Sequence, residues 1–422
     1  MISELKIRNF KSLESVDLKL GHFNLLVGAN ASGKSNFLDA LHFLQGVGSG
    51  LSIDGILNGM PASPISLKWD GIRGGSRYVA FRRPDDSQAE KVEFQVGFSG
   101  EELQADLGGE LTYRLAFSIT NDDPAFNDES MFCGSEILMN QDNKRSVVDR
   151  AIRPSTQEPI DLSKLTTLGC LTAIYKRAKL DPITRSMSYE YFPGTIGVQA
   201  KRFNYASTAM ADMQFLDPLP ANLGGYSSKL ASLGENGEGF AALIHGIEAN
   251  GSKPALLEWL KELRPDEVDD IYALEGLNND FMVAIKEGNK EFRAPVLSEG
   301  TLRFIALAAA FFQPSMPKVL VIEEIEKGLH PSRLRLLLEL MRSQSKRTGT
   351  QVFATTHSPT LLAWLTEEDR KTTFVCTRDA ESGATKMRSL AEVPKLEELI
   401  QENYSLDQLF EEGWLESVLH ES

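Results

Sequence analysis

Apolar and polar positions along the chain follow two periods, and the places where the period changes divide it. Phe23 to Val27, Val319 to Ile322 and Gln351 to Thr355 are short apolar runs of strand length, the pattern of strands buried on both faces of a sheet. Apolar residues at helical spacing recur in Phe37 to Leu44, Phe240 to Ile247, Leu256 to Leu263, Leu302 to Phe312 and Leu334 to Met341. Alternating apolar residues in Tyr78 to Arg82, Val92 to Phe98 and Leu111 to Ile119, separated by Gly, Asp or Pro, predict antiparallel strands. Further strands are expected around Val268 to Leu274 and Phe281 to Ile285. Between about Thr120 and Asn222 the pattern is irregular, with helical stretches near Leu165 to Lys179 and Met210 to Phe215, and reads as an inserted lid or arm. The sum is an α/β fold.

Composition narrows the class. A chain of 422 residues, 42% hydrophobic and 24% charged, can bury a large core without disulfides or metals, which excludes intrinsic disorder. A net charge of −15 argues against coating nucleic acid over the whole surface. Lys144 to Arg202 nevertheless holds eleven basic and five acidic residues, a local +6 that leaves −21 for the rest, with Tyr175, Phe203 and Tyr205 nearby. Such a segment is either a nucleic-acid or partner surface or a set of solvated helix faces. Cys133, Cys170 and Cys376 form no C-x-x-C pair and read as buried thiols in a reducing compartment. The first residues lack the order of a secretion signal, and no apolar run reaches the ~18 residues that span a bilayer. The expectation is a cytoplasmic protein with no membrane contact.

The chemistry begins at Gly28-Ala29-Asn30-Ala31-Ser32-Gly33-Lys34-Ser35, between an expected strand and an expected helix. The G-x-x-x-x-G-K-[ST] spacing lets backbone amides and a helix N-terminus surround phosphates, brings the Lys34 ammonium to the β and γ groups and offers the Ser35 hydroxyl to Mg²⁺. Near the C-terminus the run Val319 to Ile322 ends in Glu323-Glu324-Ile325-Glu326, carboxylates at the edge of a parallel sheet where ligands lie. One carboxylate there can hold Mg²⁺ through water while its neighbour orients the attacking water. Gln351 to Thr355 leads into Thr356-His357-Ser358-Pro359, which puts a histidine at another strand end within reach of a γ-phosphate. Upstream, Ser298 reads as the N-cap of the helix through Phe312, and Gly300 permits close backbone approach.

Phosphate loop, Leu297-Ser298-Glu299-Gly300-Thr301, the carboxylate strand and His357, in that order, resemble an ABC-type ATPase head. Ile7-Arg8-Asn9-Phe10-Lys11-Ser12-Leu13 and the Glu-x-Gly-Leu-His-Pro run narrow the resemblance to stand-alone ATPases related to structural-maintenance-of-chromosomes (SMC), RecF and OLD proteins. The strong segments are residues 1 to 44 and about 295 to 365. The resemblance implies an α/β P-loop head with a mixed sheet and an antiparallel β subdomain, formed by 1–119 and 223–422, with 120–222 as a mainly helical insert. It implies ATP and Mg²⁺ as ligands: Gly28, Asn30, Ser32, Gly33, Lys34, Ser35 and Asn36 at the nucleotide, Ser35 and Glu323 at the metal, Glu324 on water, His357 at the γ-phosphate. It also implies head-to-tail dimers in which Ser298 and Gly300 serve the nucleotide of the partner protomer and Glu326 faces that protomer. DNA, through the basic segment 144–202, or a separate nuclease or toxin chain are the further partners it suggests, in DNA repair or anti-phage defence.

The sequence departs from that pattern in two places. Glu323 stands where Asp is usual, and its extra methylene moves the carboxylate by about an ångström, enough to slow turnover. Ile65 to Arg83 offers Asp70 and Arg73 but no glutamine for the metal-contacting loop. Both departures keep open a nucleotide-gated scaffold that barely hydrolyses. A transporter engine shares every motif, but 264 positions separate Lys34 from Ser298 here, far more than such engines carry. No heptad run between them is long enough for coiled-coil arms.

Overall fold

The computed structural model describes all residues except 62–67, 121–122, 140–165, 167, 169–195, 228–232, 264–267, 279 and 421–422. The helix expected over Leu165 to Lys179, most of the basic segment 144–202, and Cys170 and Tyr175 therefore lie outside the described residues. The chain divides into two compact units, Met1–Gly21 with Asn30–Met213 and Cys376–Arg388, and His22–Ala29 with Gln214–Val375 and Ser389–Ser422. It passes from the second to the first between Ala29 and Asn30, inside the phosphate loop.

The first unit is built on an antiparallel sheet. Ile2–Phe10 pairs on one side with Leu13–Lys19 and on the other with Lys91–Phe98, and the sheet continues through Leu111–Thr120, Asp123–Cys133 and Glu136–Met139. The regular strands thus run past Ile119, because Phe126, Met131 and Cys133 carry the buried alternation onward. One face takes the helix Lys34–Ser49 through an aromatic cluster: the Phe43 ring lies 5.0 Å from both Phe94 and Phe117, and Phe10 lies 5.4 Å from Phe94. Such pairs add about 0.5–1.5 kcal/mol each beyond burial, so the helix that starts at the phosphate loop is fixed in register on the sheet. A second helix, Ile196–Ala211, packs along it where Gly48 lets the backbones meet, and the Ser207 hydroxyl donates to the Gly48 carbonyl at 2.7 Å.

Two expectations fail here. Met210 to Phe215 is not helical throughout: the helix ends at Ala211 and Met213–Leu216 is a strand, since Met213 and Leu216 are buried as sheet residues. Tyr78 to Arg82 is not a strand either. It is a short 3₁₀ turn, Ser76–Tyr78, followed by single bridges from Ala80 to Phe10 and from Arg82 to Gln88, because Gly74 and Gly75 take positive φ and turn the chain just before it.

The second unit has a parallel core. Val319–Ile322 pairs in parallel with Gln351–Thr356, which pairs in parallel with Phe23–Val27, which in turn pairs with Thr373 to Val375. All residues of the first three strands are buried, as the unbroken apolar runs predict. Helices Phe240–Ala249, Lys253–Leu263, Glu299–Ala309 and Pro331–Thr348 share one core with these strands. The sheet Asp270–Glu275, Phe281–Glu287 and Lys290–Arg293 is antiparallel, with His245 stacked 4.4 Å from Phe281. The C-terminal helices Leu406–Glu411 and Trp414–His420 close on the same core through Leu406, Leu409 and Leu415. Among the described residues no helix is long and apolar enough to cross a membrane.

Candidate functional site

The phosphate loop leaves a fully buried strand, and its geometry is that of an anion cradle. Ala31 and Gly33 both take positive φ, 64° and 103°, and Gly33 is the N-cap of the helix Lys34–Ser49. Gly33 brings no capping side chain and the first helical turn holds no acid, so the positive end of the helix is left uncompensated by either. The Ser32 hydroxyl is buried and finds no hydrogen-bond partner among the described residues. Lys34 is buried, Ser35 and Asn36 are half-buried, and Asn30 is exposed.

Three residues hold this turn from behind. The Asn36 side-chain Nδ2 donates to Ser12 Oγ at 2.6 Å, Ser12 Oγ and Thr385 Oγ1 share a 2.7 Å hydrogen bond, and the Thr385 backbone amide donates to the Ser12 carbonyl at 2.7 Å. Arg73 supplies a further brace: its Nη2 donates to the Ser35 carbonyl at 2.7 Å and its Nε to Asp39 at 3.0 Å. Lys11 bonds the buried Asp39 and the Arg73 carbonyl, and burial pushes its ammonium pKa down against the pull of Asp39. So the segment without a glutamine places a guanidinium, from Arg73, on the first turn of the helix, whereas Asp70 pairs with Lys68 at the surface.

The carboxylate cluster belongs to the second unit. Glu323 and Glu324 follow the strand Val319–Ile322 and are both half-buried. Glu324 sits in the left-handed region at φ 49°, a conformation that costs a non-glycine residue about 1–3 kcal/mol and persists only where its surroundings impose it. They do so here from both sides. The Glu324 amide donates to Thr355 Oγ1 at 2.9 Å, and Arg303 Nη2 reaches the carbonyls of Glu323 and Glu324, each at 3.2 Å. Arg303 is itself buried and ion-paired to Asp217 at 2.8 Å, and Lys327 reaches the same carboxylate at 2.8 Å.

The histidine and the helix Glu299–Ala309 belong to the same unit. His357 follows the strand Gln351–Thr356, and Glu326 Oε1 accepts from its amide at 2.6 Å and from its ring Nδ1 at 2.8 Å. Ser298 is the N-cap of Glu299–Ala309, accepting from the Thr301 amide at 3.2 Å. Gly300 lies against this chain's own loop after the carboxylates: a Cβ there would stand 2.3 Å from the Gly328 carbonyl. Of the basic segment, Arg202 is buried and bonds the Leu107 carbonyl and Glu136, each at 2.8 Å, so its charge is spent inside the fold rather than on a ligand surface. Lys201 is exposed.

Ser12, Arg73, Asp217, Arg303 and Thr385 are the residues that sequence reasoning did not place at the site. Arg303 had a signal, a lone charge within the apolar run from Leu302 to Phe312. Thr385 had none, since only the topology brings it to Ser12.

These features define a P-loop ATPase. Two family models match the chain, one described as "AAA ATPase domain" over residues 1–61 and one as "AAA domain, putative AbiEii toxin, Type IV TA system" over 236–363. An "ATP/GTP phosphatase" of Helicobacter pylori is 23% identical over 89% of this chain and 90% of its own length. The RecF DNA replication and repair protein of Edwardsiella ictaluri is 28% identical over 44% of this chain, and that of Porphyromonas gingivalis is 50% identical over 13%. The chain spans 58% and 15% of the lengths of those two RecF proteins. Among solved structures, the SMC head domain from Thermotoga maritima matches with a TM-score of 0.46 at 14% identity, covering 92% of this chain and 98% of that one. The chain is an ATPase, similar to AAA-type ATPase domains over residues 1–61 and 236–363 and to RecF proteins over part of its length.

Proposed function

We propose that this chain binds and hydrolyses ATP and works as a conformational switch through head-to-tail dimerisation, acting on DNA or on an effector protein in DNA repair or anti-phage defence. The observation that carries the reading is Glu324, held in a strained left-handed conformation at the carboxylate end of a parallel strand by Thr355 and Arg303. Such strain is retained where it aims a side chain.

In this mechanism the amides from Gly28 to Ser35 and the Lys34 ammonium take the phosphates, with Asn30, Ser32 and Asn36 completing the cradle. The buried unpaired Ser32 hydroxyl and the crowded, side-chain-free Gly33 support that fit. Ser35 and Glu323 would hold Mg²⁺, whose chemistry is to neutralise charge developing on the phosphate oxygens. Glu324 takes the proton of the attacking water and His357 reports the γ-phosphate. Ser298 and Gly300, at the start of the helix Glu299–Ala309, serve the nucleotide of a second copy. ATP then binds the closed pair better than ADP, and hydrolysis removes that difference. The names of the H. pylori phosphatase and of the RecF proteins support turnover and a DNA-linked role, and the toxin named in the matched family supports a separate effector.

The test is steady-state hydrolysis by wild type, Lys34→Ala and Glu324→Gln, with and without duplex DNA, alongside mass in solution. Activity lost in both variants, and an ATP-stabilised dimer of Glu324→Gln, is the expected result. A chain that binds ATP and never turns it over would instead be the nucleotide-gated scaffold.

A further inference from the structure

Both amides and both carbonyls of Glu323 and Glu324 are taken by partners, and the partners come from three elements of the second unit. The Glu323 amide donates to the Leu216 carbonyl at 3.1 Å and the Glu324 amide to Thr355 Oγ1 at 2.9 Å, so these two ties come from strands of the same sheet. The Ile325 amide adds a bond to the Thr355 carbonyl at 3.1 Å. The two carbonyls are held differently. Both accept from Arg303 Nη2, each at 3.2 Å, and Arg303 is the fifth residue of the helix Glu299–Ala309.

That last tie needs a guanidinium. Nη1 donates to Asp217 Oδ1 at 2.8 Å and to the Pro218 carbonyl at 2.6 Å, while Nη2 serves the two glutamate carbonyls, so the four terminal hydrogens have four acceptors. A lysine ammonium carries three hydrogens on one nitrogen and cannot rest on Asp217 while bridging both carbonyls. Arg303 is 2% exposed, which leaves water no access to replace these bonds. Glu324 holds φ at 49°, a conformation that persists only while its surroundings impose it. Slackening the carbonyl side of this turn therefore moves the carboxylate that follows it.

We propose that Arg303 is a positioning residue that couples the helix Glu299–Ala309 to the Glu324 carboxylate, so that the rate of hydrolysis follows where that helix stands. This deepens the ATPase reading and rests on it. Glu324 remains the group that takes the proton of the water, and Arg303 touches neither water nor nucleotide. A shift of the helix against the sheet pulls on both carbonyls of the strained turn through one side chain.

The experiment measures steady-state ATP hydrolysis, binding of a fluorescent ATP analogue, and amide exchange over Ile322 to Lys327, all on the full chain. Wild type is compared with Arg303→Lys, Arg303→Gln and Lys327→Ala. Both Arg303 variants are expected to lower kcat by roughly 10- to 100-fold, the scale of a small misplacement of a reacting group, with KM for ATP and analogue binding little changed. They also speed exchange of the Glu324 and Ile325 amides. Lys327→Ala takes a second cation from Asp217 without touching either carbonyl, and keeps both kcat and the exchange of the turn near wild type. Wild-type kcat in a folded Arg303 variant overturns the proposal, as does a loss carried by KM alone. An equal fall of kcat in Lys327→Ala overturns it too, because the effect would then belong to the ion-pair network and not to the carbonyl bonds. Should Arg303→Lys fail to fold, Arg303→Gln decides. A wild type that binds ATP and never hydrolyses it sinks the ATPase reading, and amide exchange still decides whether Arg303 holds the turn.

Discussion

Thr385 stands so close to Gly33 that a methyl group on the glycine would come within 1.9 Å of the threonine hydroxyl. That hydroxyl is already committed to Ser12, which is bonded to Asn36 in the first turn of the phosphate-loop helix. Gly33 also holds φ at 103°, where an L side chain is strained whatever the space. Gly33→Ala is therefore expected to fail twice, by clash and by backbone strain, and to lose about 1–3 kcal/mol of stability together with nucleotide binding. Adding Thr385→Ala relieves the clash and not the strain, so the double variant recovers part of the loss. Thermal unfolding and titration with a fluorescent ATP analogue read both effects. Full recovery in the double variant would show that the φ requirement is unimportant.

Gly300 invites the same substitution for a different reason. A Cβ there meets the Gly328 carbonyl at 2.3 Å, a rigid backbone atom of the loop between Glu324 and the helix Pro331–Thr348. Gly300→Ala should destabilise the isolated chain by about 1–3 kcal/mol, as overpacking does, with no nucleotide or second copy present. Denaturant unfolding at low protein concentration measures it. An unchanged midpoint would return Gly300 to a role in dimerisation alone.

Much of the site was legible because its chemistry is local in sequence. The phosphate loop, the Ser298 cap and the strands that lead to Glu324 and His357 are each set by a few adjacent residues, and backbone periodicity decides where they fall. What holds them was not legible. Thr385 braces a loop more than 350 positions upstream, and Arg303 supports two carbonyls on a neighbouring element, contacts that exist only once topology is fixed. The misread strand at Tyr78 to Arg82 shows the limit from the other side. Its alternation is real, but Gly74 and Gly75 turn the chain before pairing can propagate.

Arg303, buried, and Asp217, half-buried, form an ion pair with a pH signature. Removing the cation leaves the half-buried carboxylate with Lys327 alone and frees the carbonyls of Glu323 and Glu324, so Arg303→Ala is expected to cost about 1–3 kcal/mol. Burial pushes the Asp217 carboxyl up, but hydrogen bonds from Lys327 and Arg303 outweigh it and hold the pKa below the ordinary 3.8. A depressed folded pKa gives stability that is complete above 3.8 and is lost as pH falls through the lower, folded value. Acid unfolding of wild type and Asp217→Asn should therefore converge below that window and separate above it. Parallel curves at every pH would show that the pair does not titrate with folding.

Cys376 gives the last prediction, on the opposite side of neutrality. It is fully buried on the strand Thr373–Arg378, and burial pushes its thiol pKa from 9.0 up to about 12, with the Lys34 charge pulling weakly the other way. The thiolate is the reactive form, so at neutral pH native Cys376 should resist iodoacetamide and label only as fast as the chain opens. Rising denaturant should accelerate labelling in step with unfolding. The linkage runs with the raised pKa. Below 9.0 both states hold the proton and the burial contribution is intact, whereas between 9.0 and about 12 the unfolded chain releases its proton first. Stability should fall across that interval, and Cys376→Ala should lose that part of the alkaline slope while keeping the slope due to lysines and tyrosines. Rapid labelling of the native protein at neutral pH would mean that the strand edge beside the phosphate-loop helix opens without global unfolding, and nucleotide protection of the thiol would then locate that opening.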